Sequence, residues 1–253
     1  MSLPPSPPEH DDALRIAMIH LGARLHYMAP AALAQAGALH RLYTDFCVLP
    51  GEGRVLSRLP TRLLPRPIRR LLGRRVPPEI PPALVRRYGY STFRDYYYLR
   101  RYPHEVKNAA MWQERRMGGY YLSDRLLSRG FDGANALYVH PCVSTCAIEE
   151  AHRRGLPVIL EAISHPQCQY VQAGEYERYG QEPPLDADTR DRNLSLFRHE
   201  VDLSSLVLAA SEYSKSGLID LGVPESKIRL VPYALRTDYF SKPPSPVRGR
   251  VLF

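Results

Sequence analysis

Residues 205–210 read Ser-Leu-Val-Leu-Ala-Ala, a short apolar run of the kind that forms a strand buried on both faces. Ser211 follows this run and can cap a helix over residues 212–221. Gly222 suits the left-handed position just past the end of that helix. Residues 227–233, Lys-Ile-Arg-Leu-Val-Pro-Tyr, then predict a second strand. The stretch therefore predicts a strand–helix–strand unit whose strands lie parallel in one sheet.

The same alternation extends towards the N-terminus. Strand-like apolar runs occur at residues 14–20, 39–46, 136–140 and 157–163. Helical patterns follow them at residues 29–36, 143–154, 167–179 and 189–203. A longer helical pattern runs from Pro103 to about residue 129, and the pair Gly118-Gly119 could kink or split it. This order predicts an α/β fold with a doubly wound, mostly parallel, Rossmann-like sheet.

Composition narrows the class of protein. The 253 residues include 34 basic and 26 acidic side chains, and the net charge of +8 favours anionic partners. No run of about 18 apolar residues occurs, which argues against a membrane-spanning helix. Residues 1–12 are rich in proline and charge and have no apolar signal core, so we expect a disordered tail and a cytoplasmic protein. Four unevenly spaced cysteines favour free thiols over a disulfide framework.

Residues 51–90 depart from the simple alternation. They are rich in proline and arginine, and leucines interleave with the arginines at helical spacing, which predicts an insertion of short helices. A basic amphipathic segment of this kind can lie on an anionic membrane surface, at the inner face in a cytoplasmic protein. The arginines that would make this contact are Arg58, Arg62, Arg66, Arg69, Arg70, Arg74 and Arg75. The alternative is a solvated insertion whose leucines pack on the domain.

Polar residues follow nearly every predicted strand. Ligands of open parallel sheets bind at the carboxyl ends of the strands, so these residues are candidates for one site. The set comprises His20, Gly22, Asp45, His140, Ser164, His165, Ser211 and Tyr233, with Glu161 near the end of its strand. His140 and His165 are the best candidates for catalysis, because a neutral imidazole can hydrogen-bond to a substrate hydroxyl near neutral pH. Either histidine could instead cap the next helix or bond to a backbone group, and Glu161 could pair with an arginine.

The C-terminal stretch also resembles a known family. Residues 211–215 (Ser-Glu-Tyr-Ser-Lys), 221–224 (Leu-Gly-Val-Pro), 227–233 and 238–240 (Asp-Tyr-Phe) together resemble the end of the N-terminal domain in GT-B glycosyltransferases. The most similar group is the large retaining family that is numbered four in the classification of sugar transferases. Residues 234–236, Ala-Leu-Arg, differ from the Gly-Val-Asp that is usual in that family.

The resemblance implies an acceptor-binding half at residues 13–240. Residues 241–253 would then be the linker and first strand of a donor-binding domain that the chain lacks, so we expect no transfer by this chain alone. The full enzyme would move a sugar from a nucleotide sugar to a lipid-linked or polysaccharide acceptor, retain the anomeric configuration and need no metal or other cofactor.

The resemblance also implies roles for the residues at the strand ends. His20 and Gly22 would lie in the loop that approaches the donor phosphates and the acceptor. His140 best matches the histidine that faces the donor sugar in the family, and His165 is its competitor. Ser164, Glu161 and Ser211 would be further contacts to the acceptor or the phosphates.

Three other interpretations remain open from the residues. His140, Cys142, Cys146, His165 and Cys168 lie on neighbouring predicted loops and include zinc-ligand types, although no Cys-x-x-Cys pair occurs. The chain could instead be a non-enzymatic, basic Rossmann-like module that binds an anionic surface. Nucleic-acid binding through the arginines and residues 96–98 (Tyr-Tyr-Tyr) is less favoured, because no recognised motif accompanies the charge.

Overall fold

Seven strands pair side by side in one sheet of the computed structural model, which describes residues 13–56, 64, 66–90, 92 and 107–233. The order is β3-β2-β1-β4-β5-β6-β7, and every neighbouring pair is parallel. The strands are β1 (Ile16–His20), β2 (Leu39–Thr44), β3 (Val85–Arg87), β4 (Ala136–Val139), β5 (Val158–Ala162), β6 (Leu206–Ala209) and β7 (Ile228–Leu230). The doubly wound, parallel α/β fold predicted from the sequence is therefore confirmed.

Helices connect these strands in the described part of the chain. They are α1 (Met28–Gln35), α2 (Pro50–Leu56), α3 (Arg66–Leu72), α4 (Lys107–Leu127), α5 (Thr145–Arg153), α6 (Cys168–Arg178), α7 (Ala187–Leu203) and α8 (Glu212–Asp220). Ser211 caps α8 as predicted, because its Oγ accepts a hydrogen bond from the Ser214 N–H at 3.1 Å. Asp186 caps α7 in the same way, through the Thr189 N–H.

The core has two parts, one on each face of the sheet. Ala17 and Ile19 of β1 belong to one apolar cluster, and Ile16 and Met18 belong to the other. All four side chains are at most 1% exposed, which explains why β1 reads as a continuous apolar run. Helix α5 packs in the first cluster and α1 in the second, so the helices that follow β4 and β1 lie on opposite faces.

The predicted insertion at residues 51–90 does more than add short helices. It contains α2 and α3, as expected, but its last part forms the edge strand β3, where Val85 pairs with Leu42. Sequence patterning did not predict β3, because two of its three residues, Arg86 and Arg87, are charged. Arg86 lies 3.4 Å from Asp132, and Arg87 forms an ion pair with Glu52.

Helix α4 runs without a break through Gly118-Gly119, so the split considered from the sequence is wrong. Gly119 instead allows a close approach between α4 and the loop after β4. A Cβ atom at residue 119 would overlap the carbonyl oxygen of Val143 and lie 2.6 Å from its carbonyl carbon. The glycine is therefore required by tertiary packing at this position.

Several predictions concern residues outside the described ranges. They are the tail at residues 1–12, Arg58 and Arg62 of the basic segment, the tyrosines at residues 96–98, the family-like stretch at residues 234–240, and the linker and strand at residues 241–253. Within the described ranges, every helix is too short or too polar to cross a lipid bilayer.

Candidate functional site

A cavity of about 500 Å³ opens at the carboxyl edge of the sheet. It lies next to the ends of β1, β4 and β5, and its walls include residues of α1, α6 and α7. The strand order reverses between β1 and β4, and the helices that follow these two strands diverge to opposite faces. A crevice at this reversal point is where open α/β sheets bind their ligands.

Six of the residues predicted from strand ends line this cavity: His20, His140, Glu161, Ser164, His165 and Tyr233. The structure therefore brings both candidate catalytic histidines to one cavity. Among the described residues that line it, Gly22, Asp45 and Ser211 are missing. Those three have local structural contacts instead.

The most buried polar groups of the cavity lie next to one another. His140 Nε2 lies 3.3 Å from His20 Nδ1, and His140 Nδ1 lies 3.5 Å from Glu161 Oε2. The Tyr138 hydroxyl donates a hydrogen bond to the same Glu161 oxygen at 2.7 Å. Neither His140 Nδ1 nor His20 Nε2 has a hydrogen-bond partner among the described residues. We call this array the Glu161–His140–His20 relay.

Burial sets the protonation states in the relay. Desolvation, with a smaller contribution from Arg24, lowers the pKa of His20 from 6.5 to about 3. Desolvation also lowers the pKa of His140 well below its usual value, and the neighbouring His20 and Arg24 add to the effect. The pKa of Glu161 is raised, mainly by burial. Both imidazoles are therefore neutral at physiological pH, and each can donate one hydrogen bond and accept another.

These low pKa values predict acid sensitivity. An unfolded His20 binds a proton below about pH 6.5 but the folded one only near pH 3, so the free energy of unfolding falls as the pH falls between these values. The contribution is at most about 1.4 kcal/mol per pH unit. We expect His20→Asn to have a shallower decline in urea-unfolding free energy between about pH 7 and pH 5. The raised pKa of Glu161 makes the free energy of unfolding rise as the pH falls, and it does so in both proteins. Equal slopes of unfolding free energy against pH in the two proteins would therefore contradict the prediction.

His165 sits at the side of the cavity, in backbone contact with two helices. Its Nδ1 accepts a hydrogen bond from the Gln167 N–H at 3.2 Å, and its ring stacks on Tyr213 with centroids 4.6 Å apart. A Cβ atom at Gly217 of α8 would overlap the ring. The geometry shows the backbone-bonded arrangement considered from the sequence, although His165 also lines the cavity.

The loop after β1 is held by an interaction with the basic segment. Gly22 has φ +69° and donates its N–H to Asp45 Oδ1 at 2.9 Å. Arg74 Nη1 lies 2.7 Å from Asp45 Oδ2. Gly22 and Asp45 therefore fix the loop shape. Arg74, one of the arginines for which we predict membrane contact, also ties the basic segment to the sheet through Asp45.

Glu200 is a buried residue of the site that sequence reasoning missed. Its side chain is fully buried on α7 and accepts hydrogen bonds from the Cys142 N–H and the Thr145 hydroxyl, both at 2.6 Å. These bonds hold the loop between His140 and α5, in which Cys142 has a left-handed φ of +61°. Helical periodicity could have revealed it, because Glu200 lies three residues after the buried Phe197 and so shares its face.

The zinc alternative can be compared with the geometry. In the described ranges, no three His, Cys, Asp or Glu side chains converge as metal ligands would. Cys142 Sγ is 3.7 Å from the Asn193 carbonyl oxygen, and Cys168 Sγ is 3.6 Å from Ser164 Oγ.

Comparison with known proteins gives fold-level likeness only. No family model and no curated protein matches the chain. A UDP-glucosyltransferase from Polygonum tinctorium is 14% identical, with a TM-score of 0.47 over 93% of this chain and 55% of its own. Os79 from O. sativa, solved in complex with UDP, is 16% identical, with a TM-score of 0.46 over 91% of this chain and 55% of its own.

A UDP-N-acetylglucosamine 2-epimerase from Rickettsia bellii is 9% identical, with a TM-score of 0.40 over 86% of this chain and 44% of its own. This chain therefore spans about half the length of each of these proteins. Likeness at this level concerns the order of strands and helices and carries no argument about activity.

Proposed function

We propose that this chain is the acceptor-binding half of a GT-B glycosyltransferase that moves a sugar from a nucleotide sugar to an acceptor hydroxyl. The observation that carries the proposal is the Glu161–His140–His20 relay at the most buried end of a cavity, at the reversal point of the sheet. The family resemblance of residues 211–240 supports the same function. In this proposal, a separate domain binds the donor.

The relay suits an orienting role better than proton abstraction. An imidazole whose pKa is near 3 is a weak base at neutral pH, but its nitrogen still accepts a hydrogen bond from a hydroxyl. A retaining transfer on one face of the sugar needs no separate base. The acceptor oxygen bonds to the anomeric carbon, the bond to the diphosphate breaks, and the departing diphosphate oxygen takes the hydroxyl proton.

Charge on the leaving diphosphate also has to be stabilised in this proposal. Basic side chains and helix N-termini of the donor half would supply that stabilisation without a metal or other cofactor. Arg24 is a basic residue of this half whose charge acts on the relay. It lowers the pKa values of His20, His140 and Glu161.

Removing the central imidazole tests the proposal. We expect His140→Asn to reduce sugar transfer by about 100-fold or more, because the acceptor hydroxyl loses its orienting partner. Transfer of labelled sugar from a panel of nucleotide sugars is measured with this chain and with the complete product of its gene. His152→Asn changes an exposed histidine on α5 and is the matched control.

Circular dichroism establishes that both variants fold, and His140→Gln provides a second replacement if His140→Asn does not. Unchanged transfer in a folded His140 variant would refute the role given to the relay. If no nucleotide sugar supports transfer with the complete gene product, the transferase proposal fails and the binding-module alternative gains support.

We also propose that the basic segment contacts an anionic membrane surface. Arg66, Arg69 and Arg70 of α3 are exposed, and so is Arg75. Ile68 is 44% exposed beside them, so apolar and basic side chains share one surface. Within the described residues none of these four arginines has an ion-pair partner, whereas Arg74 is held by Asp45.

Charge reversal tests this membrane contact. Each basic residue near an anionic surface contributes about 1 kcal/mol, so Arg69→Glu with Arg70→Glu should weaken binding to phosphatidylserine vesicles by at least about tenfold at low salt. The matched control is Arg192→Glu with Arg198→Glu on the exposed face of α7. Vesicle co-sedimentation gives the affinities. Equal weakening by the two pairs would show that only net charge matters, and the segment would have no specific role.

A further inference from the structure

The cavity combines the buried relay with a wall that exposes more apolar than polar surface. His20 and His140 are each only 2% exposed, and Ser164, Gln169 and Asn193 are further polar residues of the wall. Much of the remaining wall is apolar and comes from separate elements: Ala29 of α1, Val143 of the loop after β4, Ile163 after β5, and Leu194 and Phe197 of α7. A ligand that fits such a site has a polar group for the relay and a body that is largely apolar.

The wall also contains two arginines, Arg24 and Arg190. Arg190 donates its Nη1 to the Leu185 carbonyl oxygen at 2.6 Å, and its guanidinium lies over the Tyr170 ring, 5.8 Å from the centroid. One guanidinium nitrogen is therefore held by the protein backbone, whereas the buried Arg190 Nε has no hydrogen-bond partner among the described residues. Arg24 lies at the relay end of the cavity, where it lowers the pKa values of both imidazoles.

A saccharide matches a mostly apolar wall less well than an apolar alcohol does. It carries a hydroxyl on most of its carbons, and each hydroxyl that leaves water needs a partner inside the site. Val143, Leu194 and Phe197 offer none from their side chains. The volume of about 500 Å³ lies in the range of sites that bind compact molecules.

We propose that the cavity binds a compact, largely apolar alcohol or phenol, with its hydroxyl at the relay and its apolar body against Val143, Leu194 and Phe197. The inference rests on the proposed function, for which this molecule is the acceptor. It replaces the lipid-linked or polysaccharide acceptor expected from the sequence with a more specific class. The hydroxyl meets the neutral imidazole of His20 or His140, and the apolar wall excludes water from the body of the acceptor.

Three probes separate the ligand classes on this chain: 2-naphthol, 2-methoxynaphthalene, which lacks the hydroxyl proton, and maltotetraose. We expect 2-naphthol to bind at least about tenfold more tightly than either of the others in fluorescence and calorimetric titrations. Ala29→Phe places a bulky ring in the cavity and should weaken 2-naphthol binding by about tenfold or more. Ala32→Phe changes an exposed position of the same helix and should stay within about twofold of the unmodified chain.

The inference is overturned if 2-naphthol does not bind, if Ala29→Phe leaves its affinity unchanged, or if maltotetraose binds as tightly and loses affinity in Ala29→Phe. These outcomes are distinct from failure of the proposed function. Transfer to a saccharide without 2-naphthol binding would overturn the ligand class and leave the transferase proposal standing. Binding of 2-naphthol in the cavity without transfer from any nucleotide sugar would overturn the transferase proposal and leave the ligand class standing.

Discussion

Gly119→Ala is expected to destabilise the folded protein by about 3 kcal/mol, because the new methyl group meets backbone and not a movable side chain. The alanine Cβ would overlap the Val143 carbonyl oxygen and lie 2.8 Å from Val143 Cβ. Relief requires either α4 or the loop after β4 to shift. That loop begins at His140, so the distances within the Glu161–His140–His20 relay should change as well.

The matched control is Gly174→Ala in α6, where a Cβ meets nothing within 4 Å. Alanine is favoured over glycine in a helix by about 1 kcal/mol, so this variant should be neutral or more stable than the unmodified chain. Urea unfolding measures both free energies, and the two variants should differ in sign. A Gly119→Ala protein as stable as the unmodified chain would show that the loop does not need its present position against α4.

Glu200→Ala should have a comparable effect, with a loss of about 2–5 kcal/mol in the free energy of unfolding. The substitution removes a carboxylate and leaves the Cys142 N–H and the Thr145 hydroxyl without their acceptor in a buried position. It also leaves a space on α7 beside the core. Because Cys142 has an unfavourable positive φ, loss of this bond should let the loop relax away from its present shape.

Glu177→Ala is the control for Glu200→Ala, because it makes the same change at an exposed position of α6. Surface substitutions of this kind usually change stability by less than about 0.5 kcal/mol. Urea unfolding again gives the comparison, and hydrogen exchange at the amides of residues 142–145 reports on the loop itself. If the two variants lose the same stability, the Glu200 hydrogen bonds do not hold the loop.

Local sequence signals were sufficient for most of the fold. The apolar run of β6 pairs with β5 on one side and β7 on the other. Val207 and Ala209 are buried, whereas Leu206 and Leu208 are only half-buried, so the strand is not fully buried on both faces as the run suggested. Ser211 and Gly222 mark the ends of α8 through their own side-chain and backbone chemistry. Such signals lie within one element and do not depend on what packs against it. β3 escaped prediction because a three-residue edge strand with two arginines has no such signal.

The candidate site could be predicted only in part. The rule that parallel strands direct their carboxyl ends to one edge placed His20, His140, Glu161 and His165 together, and all four line the cavity. The rule could not distinguish a residue that faces the cavity from one that fastens a loop. Gly22 and Asp45 bond to each other, and Ser211 caps its helix.

The sequence by itself determined the order of six of the seven strands, most of the helices between them, the cap of α8 and the edge of the sheet at which the polar residues gather, because each of these depends on neighbours along the chain. The tertiary structure alone decided which residues touch. It revealed Glu200 beneath the loop after β4, the contact that requires Gly119, and the row of His20, His140 and Glu161. These contacts join residues that are distant in sequence, and their energies come from burial and close packing, which no local pattern records.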